Sequence, residues 1–150
     1  MKPRRLVMVV SGVVLATAAA LVSMAGDDAE ASRAELEGQL KELLQLRLES
    51  ADLAFKAMTA AFEAETVTLS DLADARSKLA EAEVAVAAKP EDEIAALRRY
   101  VARAQQTEHK VKLLYQVGTR GGEAKEYSSA MRDRQSAEIL LLKARIKYNK

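Results

Sequence analysis

Phe62-Glu-Ala-Glu65-Thr-Val-Thr68-Leu-Ser-Asp71-Leu72 separates two long Ala- and Leu-rich stretches. Thr66, Val67 and Thr68 are consecutive β-branched residues with poor helix propensity, and threonine hydroxyls bond local backbone instead. Thr68 followed three residues later by Asp71 has the form of a capping box: the hydroxyl serves a free N–H of the first turn and the carboxylate reaches back to the cap. One helix stops here and another starts, so the stretch predicts a hairpin tip.

Before the tip, Leu36, Leu40, Leu43, Leu44, Leu48, Ala51, Phe55, Met58 and Phe62 recur mostly at steps of three and four, which stack side chains on one helical face. The pattern predicts a helix from about Ala29 to Ala64, on the order of 50 Å long. After the tip, Leu72, Ala75, Leu79, Ala82 and Val86 alternate three and four in a narrow coiled-coil-like seam. Lys89-Pro90 is expected to end that helix and begin the next, because a residue before proline avoids the α region while proline suits the first helical position. Glu91, Asp92 and Glu93 then place negative charge at the positive end of the helix dipole.

The third helix carries Ile94, Leu97, Val101, Ala104, Val111 and Tyr115, with Glu108 as the polar member of the stripe, and Gly118 supplies a left-handed stop. Thr119 to Gly122 form a second tip. Glu123 opens a fourth helix through Tyr127, Ala130, Met131, Ala137, Leu141 and Ala144, with Arg145, Lys147 and Lys150 at its negative end. Four amphipathic helices with short connections predict an all-α fold, an antiparallel up-down bundle with neighbouring axes crossing at about 20°. The many alanines imply close approach and a thin core, which favours dimerisation or docking on a larger helical partner.

The two hairpins read as one unit written twice. A shift of 53 places sets Leu44 on Leu97, Leu48 on Val101, Ala51 on Ala104, Met58 on Val111 and Phe62 on Tyr115. Beyond the tips the shift becomes 55 and sets Ala75 on Ala130, Ala82 on Ala137, Glu83 on Glu138 and Val86 on Leu141. The difference is a two-residue insertion in the second tip, and loops tolerate insertions. Both tips are expected at the same end of the bundle.

The chain has 150 residues with no cysteine, so no disulfide framework and no cysteine-linked lipid is expected. Lys2, Arg4 and Arg5, an apolar run from Leu6 to Val22 and Ser23-Met-Ala25 follow the three-part plan of an export signal, residues 1–25, ahead of a helical domain over 26–150. The uncharged stretch from Leu6 to Ala25 also matches the length of an uncleaved anchor. Cleavage gives an exported, periplasmic protein. Retention gives an inner-membrane anchor with the bundle outside the cytoplasm, and the membrane is contacted only through this segment. The 23 Lys and Arg against 22 Asp and Glu are interspersed, which argues against nucleic acid or an anionic membrane as main partner.

No chemistry stands out. The single histidine, His109, lies mid-helix between Glu108 and Lys110 and reads as a solvated residue; without cysteine or a second histidine no metal site is expected. The acid pairs Glu81 with Glu83 and Asp71 with Asp74 lack an apolar pocket to separate their pKa values. Ser128, Ser129 and Ser136 lack a nucleophile turn, and Gly118-Thr-Arg-Gly-Gly lacks the full P-loop pattern. Arg98-Arg99 and Arg132 with Arg134 read as solvated faces paired with nearby acids. Neither catalysis nor a cofactor is expected, and a ligand carrier would need a pocket for which alanine seams leave little space.

At the tips the chain resembles the periplasmic helical hairpins of the TolC-like outer-membrane efflux channels, a family built by internal duplication. Tyr115-Gln-Val-Gly118-Thr-Arg120 matches the start of that family's tip pattern, and Thr68-Leu-Ser-Asp71-Leu72-Ala-Asp74-Ala75-Arg76 matches its continuation. Glu65 stands where the first glycine would be, Gly121-Gly122-Glu123 replaces the usual turn, and no segment alternates as a membrane β-strand does. The resemblance, over Leu44 to Leu142, implies not a channel by itself but a helical module whose tips contact an adaptor hairpin, or a relative that has lost the pore. Thr66, Val67, Thr68, Asp71, Gly118, Thr119, Arg120 and Glu123 are its candidate contact residues. The function expected is a non-enzymatic, exported interaction protein of an efflux or secretion assembly, with a protein partner or a second copy bound helix to helix. The alternative is a periplasmic stress chaperone holding unfolded clients on an exposed apolar face.

Overall fold

A computed structural model describes residues 27–118 and 123–149, with side chains from Ser32 onward. The export segment, together with Thr119, Arg120, Gly121 and Gly122, lies outside the described residues. Four helices follow in order: α1 Asp27–Glu63, α2 Leu69–Ala85, α3 Pro90–Val117 and α4 Ala124–Tyr148. The chain divides into a unit ending at Glu35, helical from Asp27, and a unit from Leu36 onward that holds the core. The fold is all-α, with no strand among the described residues.

Local chemistry sets the helix ends. Thr68 caps α2 with a capping box: its hydroxyl accepts from the Asp71 amide at 3.2 Å, and the Asp71 carboxylate accepts from the Thr68 amide at 2.9 Å and its hydroxyl at 2.7 Å. Pro90 opens α3 after an extended Lys89, with three acids in the first turn. Gly118 closes α3 at φ 68°, a conformation glycine enters without strain. α2 stops at Ala85, short of the expected boundary at Lys89-Pro90. Val86 already caps it through the carbonyls of Ala82 and Val84, and Lys89 is extended ahead of proline.

The core lies among α2, α3 and α4. One apolar cluster joins Ala80 to Leu97, Tyr100, Val101 and Ala104 and to Ala137, Leu141 and Ala144; a second, nearer the tips, joins Leu69, Val111 and Ala130. Larger α3 side chains face α4 alanines, so the two backbones approach closely. The α2 seam is buried at Leu72, Ala75, Leu79 and Ala82, while Val86 is half-buried.

From Leu36 onward α1 behaves differently. None of its Cα atoms comes within 8 Å of α2, α3 or α4. Leu44, Leu48, Ala51, Phe55, Met58 and Phe62 are half-buried, and contact runs through long side chains: Arg47 to Glu81 at 3.6 Å, Lys110 to Glu63 at 3.1 Å, and Arg103 over the Phe55 ring at 5.6 Å. Leu36, Leu40 and Leu43, expected on the inward face, are 61%, 57% and 64% exposed. Arg47, just beyond them, pairs with Glu81, four residues from the end of α2.

Candidate functional site

The residues singled out at the tips divide into those consumed by local structure and those left open. The Thr66 hydroxyl donates to the Ala61 carbonyl at 3.0 Å, and the Thr68 and Asp71 side chains serve each other and the α2 cap. The Thr68 hydroxyl and then its amide hold the Asp71 carboxyl below its ordinary range. Glu65, a non-glycine at φ 56°, turns the chain before that cap. Val67 is half-buried, whereas Thr66, Thr68, Asp71, Gly118 and Glu123 are exposed. Thr119 and Arg120 fall outside the described residues.

The flanks of the two tips do meet. Phe62 from the first and Tyr127 from the second pack against the same Leu69–Val111–Ala130 cluster. Tyr115, expected inside the α3 stripe, is 46% exposed and instead stacks on Tyr127 with ring centroids 5.8 Å apart and planes 15° apart. Lys110 lies over the Phe62 ring at 5.9 Å while pairing with Glu63.

Sequence reading missed a buried polar centre that ties the three core helices. The fully buried Arg76 of α2 donates to Thr107 Oγ1 at 2.6 Å and the Arg103 carbonyl at 3.1 Å on α3, and forms a close ion pair with Asp133 of α4. The Tyr100 hydroxyl, 3.4 Å from Asp133, completes the set. Burial lowers the guanidinium pKa to about 10, so it stays charged at neutral pH. Beside it, the nearly buried Glu83 accepts from Arg99 at 3.1 Å and from Arg103 at 3.1 and 2.7 Å. Arg134 is half-buried rather than part of a solvated face, joining Glu108 of α3 to Glu138 of its own helix. Both carboxylates raise its pKa, Glu138 the more.

A signal for Arg76 existed. Leu72, Arg76, Leu79 and Glu83 form a second row at steps of four and three beside the alanine seam, and Ala130, Asp133 and Ala137 do the same in α4. A charge on such a row points at a neighbour, and burying it requires a partner.

In chemical terms, Arg76 is locked to Asp133 and to the α3 backbone, which suits setting helix register. His109 is exposed, and no group of His, Cys, Asp or Glu among the described residues is placed to hold a metal ion. Space does open where alanine seams were expected to leave little: a groove of about 430 Å³ runs between α2, α3 and α4, floored by Ala80, Val84, Leu97, Tyr100, Leu140 and Ala144. No known protein family, curated protein or solved structure matches the chain.

Proposed function

We propose that this chain is an exported, non-enzymatic helical interaction protein that works by offering α1 to another helix. The observation that carries the proposal is the state of α1. Leu36, Leu40, Leu43, Leu46 and Leu53 are each at least 57% exposed on a helix whose backbone stays clear of the rest of the core. Exposed aliphatic residues clustered on one element are characteristic of docking surfaces. An antiparallel up-down arrangement of two related hairpins belongs to the same proposal. Supporting it is the pairing order: 93 with 147, 108 with 134 and 115 with 127 between α3 and α4, and 47 with 81 between α1 and α2.

The TolC-like resemblance, and with it a place in an efflux or secretion assembly, stays within this proposal and assigns the tips a second contact. The chaperone alternative draws on a different observation: Ile139, Leu142 and Ile146 are 51%, 54% and 69% exposed on α4, so apolar surface is not confined to α1.

A chain without cysteine permits a clean test. Leu40→Cys and Thr66→Cys variants are produced in the full-length protein, the compartment and mass of the mature chain are measured, and each variant is crosslinked with a thiol reagent in cells. Export, with crosslinking at residue 40 to a defined partner or a second copy, supports the proposal. A cytoplasmic chain that crosslinks at neither residue overturns it. Crosslinks to many unfolded proteins favour the chaperone.

A further inference from the structure

The groove between α2, α3 and α4 is lined by no residue of α1 or of either tip, and has chemistry of its own. Its floor is apolar because Ala80 on α2 and Ala144 on α4, both buried, are too small to fill the space between their helices, leaving Val84, Leu97 and Leu140 to line the gap. A volume of about 430 Å³ is within the ordinary range for a small-molecule site of a few hundred Å³.

Four charged groups stand on its rim: Glu81, Glu93, Lys143 and Lys147. Both acids are already answered. Glu81 faces Arg47 at 3.6 Å. Glu93 accepts from the Tyr148 hydroxyl and from Lys147 at 3.3 Å, and these bonds, the tyrosine's first, lower its pKa. Lys147 is held there, over the Tyr148 ring at 4.5 Å. Lys143 has no acidic partner among the described residues and is exposed, so with Glu81 paired to Arg47 and Glu93 to Lys147 it is the one rim charge left unanswered beside an apolar trough. From Ile139 to Tyr148 α4 contains no acid to offset it.

We propose that this groove is a binding site for a single-chain anionic amphiphile, a long-chain carboxylate. The aliphatic chain lies along Ala80, Val84, Leu97 and Ala144 under Leu140, and the carboxylate meets Lys143. Such a site answers the two features separately, since the trough takes any apolar chain and the surplus lysine selects the sign of its head.

The test uses the mature protein, with laurate below its aggregation concentration as probe and dodecyltrimethylammonium as a probe of equal chain length and opposite charge, both followed by calorimetric titration. The expected result is saturable binding of one laurate per chain, with the cationic probe at least about tenfold weaker. Leu140→Asp, at a half-exposed position, is expected to abolish laurate binding. Lys143→Glu, at an exposed one, should keep the fold and reverse the preference between the two probes. Equal binding of both probes by the unaltered protein overturns the proposal, as does laurate binding untouched by Lys143→Glu. Light scattering covers the remaining occupant: an unliganded dimer that Leu140→Asp dissociates and laurate does not would assign the groove to a second copy and overturn the proposal.

Discussion

α1 and α3 carry matching side-chain series, and the structure uses them in opposite ways. Leu97, Val101, Ala104 and Val111 of α3 are buried, while their counterparts Leu44, Leu48, Ala51 and Met58 are only half-buried. The difference follows from what each stripe meets. α3 lies against the alanines of α2 and α4, whose small side chains let backbones close in. α1 presents Phe55, Met58 and Phe62, and across from the two rings stand Arg103 and Lys110 of α3, already paired with Glu83 and Glu63. Two bulky rings and two long cations stand between those backbones, so matching periodicity does not guarantee matching burial.

The sharpest way to break the contrast is at the centre that only the core helices share. Arg76→Met leaves Asp133 partly buried without its cation, and removing one partner of a buried pair costs about 3–5 kcal/mol. Chemical denaturation should show α2, α3 and α4 losing cooperativity. If the variant loses less than about 1 kcal/mol, the ion pair does not organise the core.

Next in size is a pair of substitutions at matched positions. Leu97→Ala should cost about 2–5 kcal/mol, as for a buried leucine, whereas Leu44→Ala should cost clearly less because its site is already half open. Equal losses in urea melts would mean that α1 is packed as firmly as α3. Thr68→Ala comes third. Loss of an N-cap costs about 1 kcal/mol, and here the effect should localise to the start of α2.

The smallest effect is a pH dependence with a definite sign. Asp71 and Glu93 both have folded-state pKa values below their ordinary ones, so the folded chain binds those protons less readily than the unfolded chain. Their contributions are fully present above the normal carboxylate range and disappear as pH falls through the lowered values. Thermal melts from neutral to strongly acidic pH should show this loss, and Asp71→Asn should flatten its share. A melting temperature that rises on acidification would contradict both bonding arrangements.

How much the sequence disclosed depended on range. The Thr68–Asp71 cap, the Pro90 start and the Gly118 stop involve residues within a few places of each other, and each was legible from residue type alone. The contacts of Arg76 lie 31 and 57 residues away, at Thr107 and Asp133, and no local pattern names such partners. Tip residues Thr66, Thr68 and Asp71 were visible as polar and β-branched. Their use by the backbone was visible only in part, since the Thr66 bond to Ala61 depends on Glu65 turning left-handed. The groove is not legible in the sequence because alanine there signals close packing, whereas Ala80 and Ala144 leave a gap wherever no larger residue projects between them.

The separation of α1 from the core also sets a clock. A helix held by side-chain tips gives up few buried contacts on detaching, so it can open as its own cooperative unit well below the free energy of global unfolding. Its amides should exchange with deuterated water faster, and as one group, while those of α2, α3 and α4 wait for the whole core to come apart. A partner seated on the leucines of α1 would slow the first group and leave the second unchanged, so exchange rates would reveal binding without a label.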